Sequence, residues 1–211
     1  MDNSSLMRLI ALILAIIPAM IMFAYFMVSA RVSFKVESLW NAFGFGAVIA
    51  FPCIAFSALF EYLIDLGSSP YALSFKKAFF MASLPEEVLK LGTVLMITWQ
   101  DLDEIHPRRL FMMAIACGCG FACFENILYV LEHEQWKTVA IQRSISAVPG
   151  HAFVSALMGY CIYKAVHSRR WWWGIALLAP IILHGFYDFC FLFDSDEFSR
   201  CSHSHSSMSS S

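Results

Sequence analysis

Apolar positions in this chain gather into six long runs: roughly Leu9–Ala30, Leu39–Tyr62, Ala78–Trp99, Leu110–Leu131, Ser144–Val166 and Trp171–Phe193. A bilayer core is crossed by about 20 apolar residues in helical form. The runs are continuous rather than alternating, which predicts helices and not barrel strands. Pro18, Pro52, Pro85, Pro149 and Pro180 fall inside runs or at their ends. Membrane helices tolerate proline where neighbours satisfy the freed backbone groups. Trp40, Trp99, Trp171, Trp172 and Trp173 mark run ends, as an aromatic belt does. Ala114, Gly118 and Ala122 recur every fourth residue and predict close helix packing. The predicted fold is all-α: a polytopic membrane helix bundle of about six transmembrane helices. Residues 1–198 read as one transmembrane domain. The Ser-rich stretch 199–211 reads as a disordered tail in preference to a metal site at His203 and His205.

Composition supports a bilayer partner. Of 211 residues, 59% are apolar and 14% charged, more apolar surface than a soluble domain of this size can hide. The net charge of −2, without a basic cluster, argues against a nucleic-acid partner. Six of the seven cysteines (Cys53, Cys117, Cys119, Cys123, Cys161 and Cys190) lie in apolar runs. Their spacing matches neither a zinc finger nor a redox motif, so they read as small buried hydrophobes. The first run is too long for a signal-peptide core and lacks a small-residue cleavage site.

The polar residues inside these runs change the picture. Ala78–Trp99 contains Glu86, Glu87 and Lys90. A charge at mid-membrane costs about 2.5–3.5 kcal/mol, and each large aliphatic residue returns only about 0.3–0.6. Such residues mark a functional site by default. Later runs carry Glu125, then His151, then His184 with Asp188. At 1.5 Å per residue, Glu86, Glu87 and His184 lie roughly 13 Å from the N-terminal side, and Glu125 and His151 roughly 10 Å. The runs alternate in direction, so this shared depth predicts a single polar pocket opening to the N-terminal side. Basic residues are nearly balanced between the two sides, but two loops on the far side are short and basic. The N-terminus is therefore expected outside.

Each group also has a local reading. Ser83 and Glu86 fit a capping box. Glu86 and Lys90 fit an ion pair four residues apart, as do His184 and Asp188 as a hydrogen-bonded pair. Adjacent residues diverge by about 100° on a helix. One of Glu86 and Glu87 can therefore pair with Lys90 while the other faces the pocket.

These residues resemble a known family. Pro85-Glu86-Glu87-Val88-Leu89-Lys90 looks like the EExxK motif of the PrsW family of bacterial intramembrane proteases. Phe121 to Glu125 looks like its FxxxE motif, Ala147-Val148-Pro149-Gly150-His151-Ala152 resembles its histidine-bearing segment, and His184 to Asp188 looks like its HxxxD motif. The resemblance runs in order from about Ser83 to Phe189. It implies a wider kinship with type II CAAX prenyl endopeptidases, which carry His where this chain has Glu125 and Asn where it has Asp188. It also implies an enzyme of the multi-pass bacterial cell membrane that makes the first, extracytoplasmic cut in a single-pass substrate, an anti-sigma factor, with residues 1–198 as the catalytic domain.

Hydrolysis needs an activated water and a group to stabilise the oxyanion. No serine or cysteine nucleophile is evident. The expected catalytic residues are Glu86, Glu87, Glu125 and His184, with Glu86 or Glu87 as the base and Lys90 and Asp188 in support. Glu125, His151 and His184 are the expected ligands of a metal such as zinc, or they position water and the carbonyl directly. Two other classes fit the same polar residues: a proton-coupled transporter or channel, and a non-catalytic membrane scaffold.

Overall fold

The computed structural model describes residues 3–30 and 36–208, with side chains for 6–29 and 37–193. All regular structure among these residues is helical. Helix α1 (Asn3–Ala30) contains Pro18. The second apolar run breaks at Ile49 into α2 (Val36–Val48) and α3 (Ala50–Leu63). Pro52 has no N–H to return to the carbonyl four residues back, which favours the break.

The third run begins earlier than its apolar residues suggested. Ser69 caps α4 (Pro70–Phe75) by accepting from the Ala72 N–H at 3.2 Å. A π-helical stretch, Lys76–Ser83, continues without interruption into α5 (Leu84–Thr98). The expected capping box at Ser83 does not form. Ser83 has helical dihedrals and makes no side-chain cap; its hydroxyl donates to the Ile181 carbonyl at 2.6 Å. Pro85 accounts for the local form, because it cannot donate to the Met81 carbonyl. Ser57 of α3 donates to that carbonyl instead, and the Leu84 N–H reaches back five residues to Phe79. Such π turns are frequent at functional sites.

The remaining helices are α6 (Pro107–Glu132), α7 (Trp136–Ile145), α8 (Ala147–His167) and α9 (Trp172–Met208). The fifth run is carried by α8; its first two residues, Ser144 and Ile145, end the separate ten-residue helix α7, and the chain breaks at Ser146, near Pro149. Helical backbone continues in α9 to Met208, through most of the expected tail; residues 209–211 lie outside the described residues.

Among the described residues, five stretches are long and apolar enough to cross a membrane: Leu6–Ser29, Glu37–Leu63, Pro107–Glu132, Trp136–His167 and Trp172–Phe193. The sixth expected span lies in the helical run of α4, the π segment and α5, which carries buried charge. The molecule is an all-α polytopic bundle. Its surface exposes Ile21, Phe51, Ile54, Phe153 and Ile182, as suits a lipid-facing wall and not a water-facing one.

Helix α6 is the centre: 67% of its most apolar stretch is buried, against 22% for α1. The small-residue stripe explains how neighbours approach. A Cβ on Gly118 would meet Ser155 Oγ at 2.3 Å and the His151 carbonyl at 2.8 Å on α8. On the α2 side, a Cβ on Gly120 would meet the Phe43 carbonyl at 1.9 Å, and one on Gly46 the Cys117 carbonyl at 2.0 Å. Backbones packed this closely gain the dispersion contacts that drive association in lipid. Cys53, Cys117, Cys119, Cys123 and Cys161 are free and buried among these contacts.

Candidate active site

Four helices deliver polar side chains to one place. Helix α5 brings Glu86, Glu87 and Lys90 within one turn. Helix α6 brings Glu125, α8 brings His151 near its N-terminus, and α9 brings His184 and Asp188. Glu87 is fully buried and Lys90 is 1% exposed. An isolated charge at such depth is prohibitively costly, so ionised partners must lie close.

They do. Lys90 Nζ lies 2.9 Å from Glu87 Oε1 and 3.4 Å from Glu86 Oε2. It donates to His151 Nδ1 at 2.9 Å and sits 4.2 Å from the centre of the Phe121 ring. His184 Nδ1 lies 2.8 Å from Glu87 Oε1 and 3.8 Å from Glu86 Oε2. Its Nε2 lies 3.2 Å from Asp188 Oδ2 one turn along α9. The two imidazoles are 4.9 Å apart, edge to face.

Glu125 stands on the far side of His151. Its Oε2 lies 2.8 Å from His151 Nε2 and 2.6 Å from Arg143 Nη2 of α7. Since an ammonium can only donate, His151 Nδ1 is the accepting nitrogen and Nε2–H donates to Glu125.

Every site residue expected from the sequence lies in this network, but the residues are not equally placed. Glu86, Glu87, His151 and His184 each present one donor atom within 4.8 Å of the others, and all four are buried. Glu125 is a step removed, behind His151. One oxygen of Glu87, Oε2, is buried without a hydrogen-bond partner. Exposure rises from Glu87 outward to Glu125 and Asp188, whose side chains are 15% and 23% exposed. Two surface hollows, of about 390 and 320 Å³, lie elsewhere, one lined by Arg109 and one by Arg8.

Sequence reasoning missed Arg143, which lies between the fourth and fifth apolar runs. Ten residues of helix between two longer ones turn this side chain inward. The signal was present: a cation within the amphipathic stretch Trp136–Ile145, which follows a span carrying the carboxylate of Glu125.

A helical membrane bundle that encloses carboxylates, imidazoles and an ammonium at its centre is a polytopic membrane protein with a buried hydrophilic site. This chain belongs to the PrsW family, described as PrsW family intramembrane metalloprotease, which matches residues 35–203. It is 31% identical over 156 residues to Protease PrsW of Geobacillus kaustophilus, covering 71% of this chain and 65% of that protein. The chain thus spans slightly less than two thirds of that relative's length. It is 27% identical to Protease PrsW of Oceanobacillus iheyensis, over 82% of this chain and 79% of that protein. Against Protease PrsW of Bacillus subtilis the identity is 28%, with the same coverage of 82% and 79%. No solved structure matches the chain.

Proposed function

We propose that this protein is an intramembrane endopeptidase that hydrolyses a peptide bond in or near the transmembrane segment of a single-pass substrate. The observation that carries this reading is the meeting of Glu86, Glu87, His151 and His184, from three helices, within 4.8 Å in a buried setting. Water-activating chemistry needs such groups held together away from bulk solvent.

Glu86 is the general base. It is the looser of the two acidic neighbours, 3.4 Å from Lys90 where Glu87 is 2.9 Å. Lys90 and His184 hold Glu87 in place through a single oxygen. Asp188 orients His184, as a carboxylate behind an imidazole does. Lys90 supplies positive charge next to the reacting centre and stabilises a developing oxyanion.

The donor set also suits a zinc-type ion: two carboxylates, two imidazoles, and an unpartnered buried oxygen at Glu87. Glu87, His151 and His184 would hold it, in place of the set with Glu125 expected from the sequence. Such an ion supplies Lewis acidity and a more acidic bound water. Lys90 already places one cation among these donors, so metal content must be measured directly. Less than about a tenth of an equivalent in active protein removes the metal.

The substrate we propose is an anti-sigma factor, cut from the extracytoplasmic side of a bacterial membrane. The resemblance supports this, as do the more exposed groups on the N-terminal side. The test is mass-spectrometric comparison of membrane-protein fragments made by the wild type and by Glu86→Gln. Fragments that appear only with the wild type support the proposal. Proton flux in liposomes without any fragment would replace it with a transporter.

A further inference from the structure

Arg143 has more bonds than a helix tether needs. Its Nη2 meets Glu125 Oε2 at 2.6 Å and its Nε donates to Asn126 Oδ1 at 2.7 Å. The guanidinium lies 3.9 Å over the Tyr129 ring. Asn126 is itself anchored, donating to the Ala15 carbonyl of α1 at 3.4 Å. The guanidinium plane is therefore fixed on three sides: by a carboxylate, an amide oxygen and an aromatic face. A planar fork of this kind is not interchangeable with an ammonium.

The same Glu125 oxygen accepts from Arg143 and from His151 Nε2. A chain of contacts thus leads from Arg143 through Glu125 to the ring whose other nitrogen faces Lys90 and the buried carboxylates. Two neutral tautomers of His151 are available. Only the one with Nε2–H satisfies Glu125 and leaves the Nδ1 lone pair pointing at the site.

We infer that Arg143 is a positioning residue: it clamps Glu125, and Glu125 thereby fixes the tautomer and ring orientation of His151. The inference rests on the endopeptidase reading for its kinetic consequence, but not for its structural one. Arg143 touches none of the reacting groups and acts only through Glu125. Helix α7 then serves the site through Glu125, because the break at Ser146 folds this short helix against α6 beside Glu125.

Two measurements on the full chain test this. The first is steady-state cleavage by wild type, Arg143→Ala and Arg143→Lys. The expected result is a fall in kcat of about 10–100-fold for Arg143→Ala, typical of losing a partner behind a ligand or catalytic group. KM should stay within about twofold, because uniform substrate binding is untouched. Arg143→Lys should recover only part of the loss, and millimolar guanidinium should restore Arg143→Ala but not Glu125→Gln. The second is ¹⁵N spectroscopy of labelled histidine, with His151→Gln to assign the signal. Wild type should show Nε2 protonated and Nδ1 not, and Arg143→Lys should show a mixture. An unchanged His151 signal in Arg143→Lys together with wild-type kcat overturns the inference. So does a kcat loss that only tracks loss of folded protein and is not rescued by guanidinium. Failure of the wild type to cleave any substrate sinks the endopeptidase reading instead; the histidine spectrum then still decides the role of Arg143.

Discussion

Glu87 and His184, 97 positions apart in the chain, meet at 2.8 Å through Oε1 and Nδ1. This contact closes the bundle, joining the helix that follows the π stretch to the last one. It also leaves the second Glu87 oxygen without a partner, although a buried acceptor is normally satisfied. The division of labour between the two adjacent glutamates follows: one is held, the other is freer.

Glu86→Gln should therefore abolish most turnover with the fold intact. Removal of a general base costs about 10²–10⁴-fold. Cleavage rate and thermal unfolding of the same preparation check this. A rate within threefold of wild type would exclude Glu86 as the base.

Lys90→Met should destabilise the protein as well as inactivate it. Breaking a buried ion pair from one side costs about 3–5 kcal/mol, because the remaining charges stay buried. Here two carboxylates would be stranded, one with 0% and one with 7% of its side chain exposed. Unfolding in mixed detergent micelles measures the effect. Wild-type stability in this variant would show that the carboxylates are not ionised together around Lys90.

Asp188→Asn should reduce turnover by about 10–100-fold while changing stability little, since Asp188 is the most exposed acid of the network. Rates at saturating substrate report it. Undiminished kcat would remove Asp188 from the mechanism.

Gly120→Val and Gly92→Ala form a contrasting pair. At Gly120 a Cβ would collide with the Phe43 backbone, while at Gly92 nothing lies within 4 Å. The first should prevent α2 from packing on α6 and lower the yield of folded protein sharply. The second should be neutral in the same expression and unfolding assays. Equal behaviour of the two would contradict the close approach of α2 and α6.

Much of this was legible in the chain because bilayer crossing imposes length and hydropathy on each helix. The central polar residues were legible for the opposite reason: Glu86, Glu87, Lys90, His151 and His184 violate that rule. Their shared depth followed from helical rise alone. Backbone departures left a weaker mark. The π stretch arises from a missing donor at Pro85 and a hydroxyl on another helix, Ser57, which no local pattern reveals. Arg143 was hidden by its position between runs, because direction within a short connecting helix depends on the break at Ser146. The capping pattern at Ser83 misled because the helix does not start there. A side-chain oxygen has no cap to make when the preceding turn is already helical.

The charged stretch that builds the site has a consequence for biogenesis. Helix α5 is synthesised before α6, α8 and α9, yet its Glu86, Glu87 and Lys90 are accommodated by residues on those later helices. At about 2.5–3.5 kcal/mol per charge, the segment is a poor independent insert. Its Glu87 and Lys90 can offset one another locally, but its last partner, His184, emerges only after α6 and α8. Stable residence of this segment in the bilayer thus depends on the later helices through α9, and truncation before α9 should leave it exposed to the insertion and quality-control machinery.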